Sequence, residues 1–116
     1  MDNVIVEKSF NLAIRIVNLN KYLTEQKREF VMSKQVLRCG TSIGANVAES
    51  QQAQSQADFI SKMNISLKEA AETKYWLRLL HATGYISDKE IESILFECIE
   101  IEKILYSIVC TTKENI

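Results

Sequence analysis

Three cysteines (Cys39, Cys98, Cys110), one histidine (His81), the pair Glu69-x-x-Glu72 and the run GTSIG at 40–44 are the residues whose types and spacing could do chemistry. A zinc site needs closely spaced Cys and His ligands, and this chain has no C-x-x-C and a single His, so none is expected. The thiols read as reduced, mostly buried small hydrophobes. A di-iron carboxylate centre in a helical bundle needs two Glu-x-x-His pairs. Three residues before His81 stands Arg78, so that centre cannot be assembled. Glu69 and Glu72 could serve as acid and base. They fall beside Ile65, Trp76 and Leu80, where a carboxylate is costly unless paired. A structural or interface network with Arg38, Asn46 or Lys68 as partners is the stronger reading. GTSIG lacks the G-x-x-x-x-G-K-[ST] pattern of a phosphate loop and follows no strand. Cys39 has no evident His to activate it. No catalytic residues, metal or cofactor are therefore expected.

The elements that must position these residues are helices. The chain has 116 residues, 47% hydrophobic and 25% charged, with three glycines and no proline. So few chain breakers argue for long helices and against a sandwich or barrel. Segment one runs from about Asn3 to Lys27, followed by the charged turn TEQKREF at 24–30. Segment two runs from Val31 or Ser33 to Gln52. Segment three starts at Ser55, where Ser55 and Asp58 resemble a capping box, and ends at Thr83-Gly84, with Gly84 suited to the left-handed position after a helix. Segment four opens on the capping box Ser87–Glu90, with Ile86 and Ile91 placed for a hydrophobic staple. Short connections between such segments predict an all-α fold, an antiparallel up-down-up-down four-helix bundle, as one domain over 1–116.

The apolar pattern exceeds what one bundle needs. Segment one carries Ile5, Leu12, Ile16, Leu19 and Leu23 on one side and Val6, Phe10, Ala13, Ile14 and Val17 on the other. Segment two carries Val36, Gly40, Ile43, Gly44 and Val47, and a second stripe of Leu37, Thr41, Ala45 and Ala48. Glycine inside a helix costs about 1 kcal/mol against alanine, so Gly40 and Gly44 imply another backbone close by. In segment three the main stripe is Phe59, Ile60, Met63, Leu67, Ala70, Ala71 and Leu77, with Ile65, Trp76, Leu79 and Leu80 on the far side. Segment four shows a single broad stripe. Second stripes left in water would form an unusually large apolar patch, and closed self-association would cover it.

Fourteen bases against fifteen acids give a net charge of −1, which argues against a dedicated nucleic-acid binder. The residues before Asp88 sum to +3 and those from Asp88 onward to −4. Lys8, Arg15, Lys34 and Arg38 are the candidate contacts for weak, salt-sensitive nucleic-acid binding, with Tyr22, Tyr75 and Tyr85 as tyrosines for base stacking. The N-terminus lacks a basic run followed by an apolar one, and no apolar stretch reaches the ~18 residues of a membrane span. A cytoplasmic protein without membrane contact is the expectation.

The run LRCGTSIGANVAES at 37–50, with DFISK at 58–62 and LKEAAETKYWL at 67–77, resembles the bacterial 23S rRNA intervening-sequence (S23) proteins, over nearly the whole chain. The matching motif residues are Arg38, Gly40, Thr41, Ser42, Gly44, Asn46, Glu49, Glu69, Glu72 and Trp76. That family in turn resembles the accessory variability protein of diversity-generating retroelements, a basic pentameric bundle that binds a reverse transcriptase. The resemblance implies a homopentamer without enzymatic activity and with a protein or ribonucleoprotein partner. The alternative is an RNA-binding protein acting on the rRNA insertion or the ribosome. The net charge departs from that of the retroelement proteins.

Overall fold

A computed structural model describes residues 4–114. The start of segment one at Asn3 lies outside the described residues. Four helices follow in order: α1 (Val4–Glu25), α2 (Met32–Ser50), α3 (Gln56–Ala82) and α4 (Asp88–Glu114). Each packs on its neighbours in sequence and α1 closes on α4, while the diagonal pairs do not approach. This is the expected up-down-up-down bundle, elongated to 47 × 21 × 19 Å.

Local chemistry sets the helix ends. At α3, Ser55 Oγ accepts from the Asp58 N–H. The shorter Asp side chain reaches back to the Gln54 N–H instead of that of Ser55. At α4 the box is reciprocal, with Glu90 N–H donating to Ser87 Oγ and Ser87 N–H to Glu90 Oε1. Gly84 takes φ +86°, as a residue without Cβ can after a helix. The start of α2 has a cap that the sequence did not announce. Glu29, two residues ahead of Val31, turns its carboxylate inward to accept N–H bonds from Val31, Met32 and Ser33.

The buried residues recur at alternating steps of three and four, the seam of a coiled coil. In α3 that seam is Met63, Ser66, Ala70, Thr73, Leu77 and Leu80, all within the core. This corrects the reading that set Leu80 on the far side. Ser66 and Thr73 are polar and so fall outside an apolar stripe, yet both are buried. Ser66 donates across to the Ile43 carbonyl at 2.8 Å, and Thr73 donates within its helix to the Glu69 carbonyl. A second correction concerns α4. Besides its buried stripe it leaves Phe96 and Tyr106 exposed, so it too carries apolar surface outside the core.

Gly40 and Gly44 have their reason inside the monomer. A Cβ at Gly40 would lie 2.8 Å from two carbons of Ile16, and one at Gly44 would lie 3.2 Å from the Ser9 carbonyl oxygen. The backbone that approaches α2 is that of α1.

Candidate interaction surface

On α1, Phe10, Ile14 and Val17 stand in water at 65%, 47% and 37% exposure, spaced i, i+4, i+7 along one stripe. Beside them on α2, Ala45 and Ala48 are exposed and Leu37 and Thr41 half-buried. A groove of about 510 Å³, lined by Val6, Glu7, Phe10, Gly44, Ala48 and Gln51, joins the two stripes. The second stripes predicted for segments one and two thus lie side by side as one face. It has large side chains on α1 and small ones on α2. The far side of α3 is different: Ile65 is exposed, but Trp76 and Leu79 are half-buried, and Trp76 packs against the core.

The candidate network gathers only in part. Arg38 crosses from α2 to α3, pairing with Glu69 at 3.5 Å and, more closely, with Glu72. The Trp76 indole N–H donates to the same Glu72 oxygen at 3.0 Å. Glu49 pairs with Lys62 of α3 at 3.1 Å. Asn46 donates to the Ser42 carbonyl of its own helix and does not reach the glutamates. Gly40 and Gly44 face α1, on the opposite side of α2 from Arg38. The cluster is therefore a strap over the α2–α3 seam. With Arg38 held between them, Glu69 and Glu72 form no free acid–base pair.

The four candidate cations do not converge. Lys8 pairs with Glu100 at 3.1 Å, and Arg15 bonds Glu97 and Ser93, all across the α1–α4 seam. Arg38 sits on the opposite seam, and Lys34 makes no ion pair among the described residues. The acidic α4 draws two of the basic residues of α1 into the fold.

The thiols and the imidazole are likewise placed. Cys39 and Cys98 are buried. Burial pushes the Cys39 thiol up, and burial, with Glu102 nearby, pushes Cys98 up to about 12. His81 Nε2 meets Asp88 at 2.6 Å, and no hydroxyl or thiol bonds to it. Among the described residues no three His, Cys, Asp or Glu gather as a metal site, and no helix is long and apolar enough to cross a membrane.

Residues 1–107 match the family described as 23S rRNA-intervening sequence protein. The chain belongs to that family. It is similar to a crystal structure of a protein of unknown function from the S23 ribosomal protein family of Bacteroides thetaiotaomicron VPI-5482. The two chains are 59% identical, with a TM-score of 0.91, over 93% of this chain and 96% of the other. No match is found among curated proteins. The intervening-sequence family thus accounts for the motifs at 37–50 and 67–77. In this chain those motifs build the close α1–α2 contact and the Arg38 strap.

Proposed function

We propose that this intervening-sequence protein is a non-catalytic cytoplasmic scaffold, a closed homo-oligomer that presents its outer surfaces to a protein or ribonucleoprotein partner. One observation carries the reading: the apolar face shared by α1 and α2, with Phe10, Ile14 and Val17 standing beside Thr41, Ala45 and Ala48. Large residues on one helix and small ones on the next are complementary, so α1 of one copy can seat on α2 of another. Such a head-to-tail contact closes into a ring when its rotation permits. The pentamer is the ring size implied by the resemblance to the retroelement accessory proteins. The non-catalytic role is supported by Glu69 and Glu72, which Arg38 engages, by the buried thiols of Cys39 and Cys98, and by His81, which meets Asp88. Light scattering of the purified chain tests the assembly. A stable oligomer is expected, and Ala45→Glu, which sets a carboxylate on the small-residue stripe, is expected to dissociate it with the helical content unchanged. A wild-type monomer at high concentration would overturn the proposal.

A further inference from the structure

The turn between α1 and α2 holds an aromatic ring and an aliphatic side chain out in water on a rigid base. Phe30 is 55% exposed and Val31 74%. Nothing about this turn is slack. The Glu29 carboxylate accepts three N–H bonds from Val31, Met32 and Ser33, and Ser33 Oγ donates back to the Glu29 carbonyl at 2.7 Å. Arg28 takes the left-handed φ of +53°. Its guanidinium lies over the Phe30 ring, 5.6 Å from the centroid. Lys27 lies over the Tyr22 ring at 5.9 Å. Asn20 bonds the Ser33 carbonyl at 3.2 Å, which brings the neighbouring Lys21 and Lys34 to the same end of the two helices. Among the described residues none of Lys21, Lys27, Arg28 and Lys34 makes an ion pair, in contrast to Lys8, Arg15 and Arg38. The carboxylates of this turn are Glu25 and the inward-turned Glu29, and Glu90 of α4 lies near Lys27.

We propose that this turn is a binding site for single-stranded nucleic acid, in which a base stacks on the Phe30–Arg28 pair while Lys21, Lys27 and Lys34 meet the flanking phosphates. Single strands are bound by this combination of cations tracking the backbone and π-faces that accept any base. An anionic membrane would also attract the cations, but burying Phe30 among acyl chains would drag the stacked guanidinium with it or break the stack. The site needs one chain only, so it stands apart from the assembly proposed above.

The test is a fluorescence-anisotropy titration of the full chain with fluorescein-labelled oligo(U) and oligo(dT) twelve-mers at two salt concentrations. Further arms are poly-glutamate and phosphatidylglycerol vesicles. Salt-sensitive binding of the oligonucleotides is expected. Phe30→Ala removes an exposed ring and should weaken it about tenfold, the scale of one lost base stack. Lys21→Gln/Lys27→Gln/Lys34→Gln, which removes the three phosphate contacts, should lower the salt slope by about 2, at ~0.7 per phosphate contact on a single strand. Lys68→Gln/Lys103→Gln, which removes two cations elsewhere on the molecule that make no ion pair among the described residues, should change affinity less than twofold. The proposal is overturned by absence of oligonucleotide binding, by an equal loss in the Lys68/Lys103 variant, by indifference to Phe30→Ala, or by preference for poly-glutamate or the vesicles. A preference between the two oligonucleotides identifies the source as RNA or DNA.

Discussion

Gly40 of α2 lies so close to Ile16 of α1 that a Cβ on residue 40 would stand 2.8 Å from both branches of that side chain. Ile16 is fully buried and branched at Cβ, so it cannot swing away. Gly40→Ala therefore gains about 1 kcal/mol of helix propensity and is charged more than that for overpacking, about 1–3 kcal/mol. At Gly44 the contact is a milder 3.2 Å to the Ser9 carbonyl oxygen. Urea unfolding should show Gly40→Ala less stable than wild type by about 1 kcal/mol and Gly44→Ala nearer to neutral. Equal effects would mean that the α1–α2 distance is not set at Gly40.

The cap at α2 makes stability depend on acid. Burial pushes the Glu29 carboxyl up, but the N–H bonds from Met32, Ser33 and Val31 outweigh it and hold the group below its ordinary value of 4.5. Glu90 is lowered as well, mainly by the Ser87 N–H. A carboxyl lowered in the folded state stabilises at pH above its unfolded value, and that stabilisation disappears as pH falls through the folded value. Stability measured from pH 7 downward should hold to about pH 4.5 and then fall. Glu29→Gln keeps an acceptor without a charge and should flatten the part of that fall due to Glu29. Glu29→Ala should cost about 1–2 kcal/mol at pH 7, as loss of a helix cap does.

The bundle was legible in the sequence because the caps at Ser55 and Ser87 and the absence of proline mark the helices directly. The seam of α3 was not. Ser66 and Thr73 occupy core positions, and a hydrophobic pattern has no means of seeing a hydroxyl whose partner is the Ile43 or Glu69 carbonyl. The Glu29 cap was hidden for a related reason, since glutamate is not a usual capping residue and works here only through the turn at Arg28. The second stripes of segments one and two stay outside the core only in part: Phe10, Ile14, Val17, Ala45 and Ala48 are exposed, whereas Val6 and Leu37 pack against the core. Their union into one face needed the register between α1 and α2. The candidate cations do not form one group, because sequence shows that Lys8 and Arg15 are basic but not that Glu100 and Glu97 lie opposite them, while Lys34 stays out of those pairs.

The three thiols should separate by accessibility. Burial raises Cys39 and lifts Cys98 to about 12, so at pH 8 neither forms appreciable thiolate. Cys110 is only half-buried on α4. Native protein treated with a thiol reagent at pH 8 should label at Cys110 alone, and in urea at all three. Mass spectrometry of the labelled peptides gives the answer, and rapid native labelling of Cys98 would show that the α3–α4 seam opens readily.

The Arg38 strap can be assigned to folding or to assembly by its energetics. Arg38 is about half exposed, and ion pairs in such positions contribute about 0–1 kcal/mol. Arg38→Ala should therefore change unfolding stability by less than about 1 kcal/mol. Trp76, the single tryptophan, reports the local change, because its indole N–H donates to Glu72. Glu72→Gln weakens that acceptor and should shift the emission maximum with little loss of stability. If the strap serves only the fold, the oligomer's dissociation constant is the same in wild type, Arg38→Ala and Glu72→Gln. If it meets another copy, burial removes the screening that makes the pair weak, and dissociation rises by more than the stability change accounts for. Sedimentation at falling protein concentration, alongside urea unfolding of the same variants, separates the two roles.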